Sequence, residues 1–203
     1  MTQRTIIVGD RCIPWREFER ASSTMDIAAR VVEEGWTGWM VITALNQSAG
    51  RGTRGRDWVT HSGKGLWVSV IMPPPSGRSR MDGLTVAAAE ALKETLRELT
   101  GFRFDIKQPN DVISRGKKLA GILIESTIRG EAACSFILGM GLNVAQTEDD
   151  FRAAGLPEAT SLLMETGVVY DSRLILEIFL NHFLPVYEIL TTGEDDPNAA
   201  KQE

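Results

Sequence analysis

The sequence predicts an α+β fold, a mixed or antiparallel β-sheet flanked by helices, from three observations. Residues 22–34, 82–99 and 171–190 carry the apolar period of amphipathic helices. Four short runs rich in β-branched and apolar residues lie between them, at 39–45, 66–72, 119–125 and 135–140. Their order is not the clean strand–helix alternation that a wholly parallel sheet needs. At 203 residues the chain can bury one substantial core.

Each element has a local reason. In the first helix Ile27, Ala28, Val31 and Val32 share a face, a Ser/Thr cluster at Ser22, Ser23 and Thr24 caps the start, and Gly35 stops it. The second helix repeats Leu84, Ala87, Ala88, Ala91, Leu92, Leu96 and Leu99, with charges on the far side. The third places Leu174, Ile175, Ile178, Phe179 and Phe183 together, and Pro185 is expected to bend or break it. The stretch from 191 to 203 is polar and reads as a loose tail. No internal repeat is visible.

Composition narrows the class. The chain is 43% hydrophobic and 24% charged, the balance of a globular protein. A net charge of -5 argues against a general nucleic-acid binder. Its two cysteines, Cys12 and Cys134, lack metal-ligand spacing and read as free, buried thiols of a reducing compartment. No apolar run is read as long enough to span a bilayer, and the N-terminus is too polar for a signal peptide. A cytoplasmic protein is the expectation. His61 and His182 have no partner at useful spacing and read as structural or surface groups.

Two segments fit neither period, and long loops in a compact domain are usually functional or disordered. In the first, residues 50–65, Gly50, Gly52 and Gly55 satisfy the dinucleotide pattern G-x-G-x-x-G. That pattern needs a helix opening at its third glycine. Arg56-Asp57-Trp58 does not open one, so a dinucleotide site is rejected. What remains is a flexible glycine ribbon bearing Arg51, Arg54 and Arg56, whose donor forks suit carboxylate and phosphate. By itself the segment reads equally well as a solvated surface loop.

The second segment is residues 107–118. Pro109 pins a turn, Asn110 and Asp111 stand at its tip, and Arg115-Gly116 reverses the chain. Lys118 then begins an apolar strand beside Gly121, where an ammonium can sit in a partly dry cleft. A solvated strand-end charge is the plainer alternative. Further on, Asn143 ends a strand and can offer a donor and an acceptor to a purine edge.

In order, these pieces resemble the catalytic domain of biotin–protein ligases, a class II aminoacyl-tRNA-synthetase-like fold. The matching residues are Ser23-Thr24-Met25, then Gln47-x-Ala49-Gly50-Arg51-Gly52-x-Arg54-Gly55-Arg56-x-Trp58, then Gly65-Leu66-Trp67-x-Ser69. Lys107-x-Pro109-Asn110-Asp111, the run from Lys118-Leu119-Ala120-Gly121 to Glu125, and Gly139-x-Gly141-x-Asn143 complete the set. The resemblance covers roughly residues 20–145.

It implies a two-step reaction. Biotin's carboxylate attacks the α-phosphate of Mg-ATP to give biotinyl-5'-adenylate. A lysine of a biotin carboxyl carrier protein then takes the biotinyl group. Lys118, Arg51 and Asp111 would be the catalytic set, with Asp111 near the metal or the acceptor lysine. Ser23, Thr24, Gln47, Gly50, Arg51 and Lys118 would bind biotin. Arg54, Arg56, Trp58, Asn110, Lys118 and Asn143 would bind ATP or the adenylate, and the segment after Asn143 would order over the nucleotide.

The acidic net charge and the lack of a long apolar run lead to an expectation of no nucleic-acid and no membrane partner. Relatives often pair through sheet edges, so a homodimer is carried with the resemblance. Residues 1–190 would form the catalytic domain, with no DNA-binding domain before it and no complete β-barrel after it. Three positions depart from the family's pattern: Gln108 replaces a usual tryptophan, Thr53 a common arginine, and Met25 a frequent asparagine. A lipoate or octanoate ligase-like acyltransferase, or a catalytically weak biotin-binding sensor, is the alternative. The arginine loop favours biotin.

Overall fold

The structure, a computed structural model, describes residues 1–60, 63–74, 81–129 and 132–192. In chain order the elements are β1 (Thr2–Val8), β2 (Arg11–Ala21), α1 (Thr24–Glu33), β3 (Met40–Gln47), β4 (Gly65–Met72), α2 (Met81–Thr100) and β5 (Asp105–Lys107). They continue with β6 (Asp111–Ser114), β7 (Lys117–Arg129), β8 (Ala132–Asn143), α3 (Glu148–Ala153), α4 (Leu162–Thr166) and α5 (Ser172–Thr192). The strands form one sheet in the order β1-β2-β3-β4-β8-β7-β6-β5. Among the named strands of the described residues only the β2–β3 pair is parallel, because α1 carries the chain back between them. Of the two expected arrangements, the sheet is mixed.

The two faces of the sheet are covered separately. Side chains alternate along a strand, so Met40 and Ile42 of β3, Ile71 of β4 and Ile137 of β8 face one way. There they meet Met25, Ala28, Val31 and Val32 of α1. The intervening Val41, Val70, Phe136 and Leu138 face α2 and α5, where Leu84, Leu92, Phe179 and Phe183 are fully buried. Burying such side chains contributes roughly 1.5–3 kcal/mol each before chain entropy is subtracted.

Several expectations change. The chain starts with a hairpin, β1 and β2, that the sequence reading had left unassigned. β1 is largely exposed, so its apolar alternation is weak. In β2, Pro14 looks hostile to a strand. It precedes Trp15, the first residue paired with β3, so its missing N–H falls outside that ladder. Pro185 lies inside α5 without ending it. Phe183, Leu184 and Tyr187 are buried around it, and this packing offsets the lost hydrogen bond.

That helix also reaches Thr192, later than the expected start of the tail, and residues 193–203 lie outside the described residues. By length and composition α5 could cross a membrane, contrary to the expectation that no segment could. Its face at Ile175, Leu176, Phe179, Leu180 and Phe183 is spent on the core instead. Cys12 is exposed, not buried, because it lies in a strand close to the sheet edge. The Cys134 side chain and His61 lie outside the described residues. His182 is a surface group whose Nε2 lies 2.8 Å from Glu98.

Candidate active site

The site begins where α1 stops covering the sheet. Along β8, Ile137, Gly139 and Gly141 point toward the α1 side, and only the first carries a side chain. A Cβ on Gly139 would sit 2.7 Å from the Met25 sulfur at the helix start. A Cβ on Gly141 would sit 2.4 Å from Cε2 of Trp58, and one on Gly121 would sit 2.9 Å from that indole's Cζ3. Gly121 and Gly141 are direct partners across the β7–β8 ladder. The glycines thus make a floor, with Met25 standing on one part and Trp58 on another. Above it lies a cavity of about 410 Å³, within the usual range for a small-molecule site.

One part of the lining is built from hydrogen-bond donors. Ser23 is the N-cap of α1, and its Oγ accepts the Met25 N–H at 3.2 Å, which leaves the hydroxyl proton to donate. The Thr24 N–H, one of the helix's unpaired amides, donates to Gln47 Oε1 at 2.7 Å. This contact fixes which way the amide faces. Thr24 Oγ1 donates to the same oxygen at 3.1 Å and accepts from Ser69 Oγ at 2.8 Å. Gln47 Nε2 keeps its donors free of partners among the described residues. The arrangement suits a neutral acceptor such as a carbonyl or ureido oxygen.

Cations occupy another part. The expected flexible ribbon is a small hairpin: Trp58 N–H donates to Gly50 O at 2.8 Å and Gly52 N–H to Arg56 O at 2.7 Å. Residues Thr53–Gly55 form a 3-10 turn at its tip. Gly50 is required, since a Cβ there would lie 2.5 Å from the Trp58 carbonyl oxygen. Arg51 lies 3.1 Å from Asp26 Oδ1 and 3.2 Å from Glu125 Oε2. Arg56 donates to the Thr53 carbonyl and hydroxyl, at 3.3 and 3.0 Å. The Arg54 side chain lies outside the described residues.

Lys118 comes from the other direction, at the start of β7. Its Nζ lies 2.7 Å from Asp111 Oδ1 and 5.1 Å from the Trp58 ring centroid. Asp111 Oδ1 is buried without an aligned hydrogen bond, so the neighbouring ammonium charge is its compensation. The Trp58 indole N–H is also buried without a partner among the described residues. Arg51, Arg56, Trp58 and Lys118 line the same cavity as Ser23, Thr24 and Gln47. The hairpin and the ammonium share one cleft.

The remaining expected residues fall partly elsewhere. Asn110 lines the cavity and is stapled to β7, its Nδ2 donating to Ile122 O at 3.0 Å. Asn143 lines it too, but its amide donates to Thr160 O and accepts from Gln146, at 3.0 and 3.1 Å. Its first task is therefore to hold the segment that follows, rather than to offer both groups to a purine. That segment contains a capped helix, α3, and a stretch at 155–159 lining the cavity with Phe151. Gln108 is exposed and lies outside the cavity lining.

Sequence reasoning missed Asp26 and gave Ser69 and Glu125, though among the matching residues, no role in the site; the wall is the segment expected to order over the nucleotide. Within the wall a further readable signal is the capping box at Thr147 and Asp150. Among the described residues no three His, Cys, Asp or Glu side chains gather as metal ligands. Asp111, the carboxylate considered for that role, is engaged by Lys118.

Comparison with known proteins gives the family. The profile described as Biotin/lipoate A/B protein ligase family matches residues 17–143. The chain belongs to that family. Among the biotin/lipoate ligases, it is 34% identical over 173 residues to the bifunctional ligase/repressor BirA of Bacillus subtilis, covering 85% of this chain and 53% of that one. It is 36% identical over 154 residues to the biotin–[acetyl-CoA-carboxylase] ligase of Paracoccus denitrificans, covering 73% and 63%. The biotin protein ligase from Aquifex aeolicus, solved in complex with biotin and ATP, superposes with a TM-score of 0.71 at 26% identity, covering 87% and 71%. The chain therefore spans about half the length of the curated BirA relatives it matches.

Proposed function

We propose that the chain is an ATP-dependent biotin–protein ligase. The observation that carries this reading is the single cavity in which a donor-lined part and a cationic part share a glycine floor. Biotin has the matching layout, with a ureido carbonyl at one end, an apolar body and a carboxylate at the other. Ser23 and Gln47 would donate to the ureido oxygen, and Lys118 would meet the carboxylate.

The chemistry asks mainly for positive charge. In the first step a biotin carboxylate oxygen bonds to the α-phosphorus of ATP, the bond to the β-phosphate oxygen breaks, and pyrophosphate leaves. Both reactants are anions, so Lys118 and the arginine hairpin offset their repulsion as the charge builds. Arg51 must first exchange Asp26 and Glu125 for substrate oxygens. Holding the two reactants in line contributes the rest. In the second step the acceptor lysine amine attacks the mixed anhydride carbonyl, AMP leaves with the bonding pair, and the amide nitrogen loses a proton.

Magnesium belongs to this scheme as part of the Mg-ATP substrate, since it is held mostly by phosphates and water in such sites. The acceptor we infer is a lysine of a biotin carboxyl carrier protein, and we infer a cytoplasmic setting. Residues 1–190 act as its catalytic unit. Biotin-dependent ATP–pyrophosphate exchange tests the reading. Exchange with lipoate or octanoate but not biotin would replace it with the sister activity, and tight biotin binding without exchange would make the chain a sensor.

A further inference from the structure

Besides the Asn143 contacts to Thr160 and Gln146, two attachments of different character hold the wall beside the cavity, residues 144–160. One is main chain and belongs to β7. Lys118 N–H donates to Glu158 O at 2.7 Å, and Thr160 N–H donates to Lys118 O at 2.9 Å. The other depends on Lys64, just before β4. Its carbonyl accepts the N–H groups of Val144 and Ala145 at 3.2 and 2.7 Å. Its ammonium lies 2.7 and 2.6 Å from Asp150 Oδ1 and Oδ2.

Asp150 is already committed to α3. Its Oδ2 accepts from the Thr147 N–H at 2.8 Å and the Thr147 hydroxyl at 2.9 Å, closing the capping box. A helix of 6 residues has little stability of its own and depends on such caps and on tertiary contacts. The next residue, Phe151, is only 3% exposed and lines the cavity. The chain then runs along the cavity to Ala159, beside Lys118. One carboxylate thus begins α3, receives Lys64, and sets the position of Phe151. An exposed ion pair ordinarily contributes little. This one uses both carboxylate oxygens and sits inside a hydrogen-bonded cap.

We propose that Lys64 and Asp150 are a positioning pair for the nucleotide half of the site. They hold Phe151 and the wall where the second substrate lies, and they touch neither substrate. The proposal rests on the biotin–ATP reading above. It assigns the wall to ATP because the wall adjoins Lys118, whereas the donors at Ser23 and Gln47 belong to the other part of the lining.

The test uses the full chain with Lys64→Met, Lys64→Arg and Asp150→Asn. ATP binding is measured by calorimetric titration, the KM for ATP by exchange, and biotin binding without nucleotide. Lys64→Met is expected to weaken ATP binding and raise its KM about five- to tenfold, with biotin binding within about twofold of the parent. Asp150→Asn should do at least as much. Lys64→Arg should restore the parent values, because a guanidinium fork also fits both carboxylate oxygens. Unchanged ATP binding in Lys64→Met beside a lowered Tm would overturn the proposal and leave a purely structural tie. Equal losses for ATP and biotin would overturn it too. A parent that binds ATP but lacks biotin-dependent exchange would remove the ligase reading, and the titrations would still decide the role of the pair.

Discussion

Replacing Lys118 by methionine should separate the charge's effect on the fold from its effect on the reaction. Asp111 Oδ1 is buried, with the Lys118 ammonium 2.7 Å away and no aligned hydrogen bond. Removing the ammonium leaves that oxygen uncompensated, at a cost of roughly 1–3 kcal/mol. The Lys118 side chain is 32% exposed, so solvent screens part of the pair and the lower half of that range applies. A further substitution, Asp111→Asn, replaces the orphaned charge with a neutral group and should recover most of the stability.

The exchange rate should behave differently. A donor aimed at developing charge is typically worth about 10²–10³ in rate, and the double variant has no ammonium either. The assay is thermal unfolding beside biotin-dependent ATP–pyrophosphate exchange for the parent, both single variants and the double. Stability should return in the double variant while exchange stays at least about 10²-fold down. Recovery of exchange together with stability would show that Lys118 serves only to shelter Asp111.

Three other outcomes follow from the same geometry. Gly141→Ala would bring a Cβ within 2.4 Å of the Trp58 indole, so the ring must lift from the floor; Tm should fall modestly and biotin affinity by about tenfold or more, and unchanged affinity would deny the floor its role. Thr53→Arg restores a guanidinium at the hairpin tip, where Thr53 now only receives Arg56; free biotinyl-adenylate should escape more slowly in carrier-free reactions, and equal escape would count against a loosened grip. The Lys64 ammonium, and then the Thr147 amide, hold the Asp150 carboxyl well below its ordinary value of 3.8. A lowered carboxylate contributes stability above its unfolded value and loses it as pH falls toward the folded one. The Tm gap between the parent and Asp150→Asn should stay level above about pH 5 and narrow below about pH 4, and a gap that widens in acid would contradict the assignment.

What the sequence made legible was what periodicity and turn chemistry encode. The helices α1, α2 and α5 and the strands β3, β4, β7 and β8 each bury a continuous apolar set, so their patterns are strong. The hairpin β1–β2 lies at the sheet edge, where exposure dilutes that pattern, and β5 and β6 are only 3 and 4 residues long. Gly50, Gly121, Gly139 and Gly141 were visible as spaced glycines, yet what they accommodate was not. That Trp58 and Met25 fill the space their absent side chains leave depends on register across β7 and β8, on the fold of the arginine hairpin and on the entry angle of α1. The partners of Arg51 were hidden for the same reason. Asp26 and Glu125 are 99 positions apart (125 − 26) and come together only through Arg51, which the hairpin places between the first turn of α1 and β7.

Lys118 shows why one strand end carries so much of the site. Its amide and carbonyl bind residues 158 and 160, so the main chain of this residue fixes the wall. Its side chain pairs with Asp111 and lies over Trp58, the last residue of the arginine hairpin. A lysine elsewhere on β7 could supply the charge, but it would not be tied to the wall on one side and the hairpin on the other. The position of the ammonium therefore follows from two backbone attachments that survive any substitution of the side chain except proline. Loss of charge at residue 118 should then leave the wall in place, which is why a methionine there is expected to spare ATP binding far more than turnover.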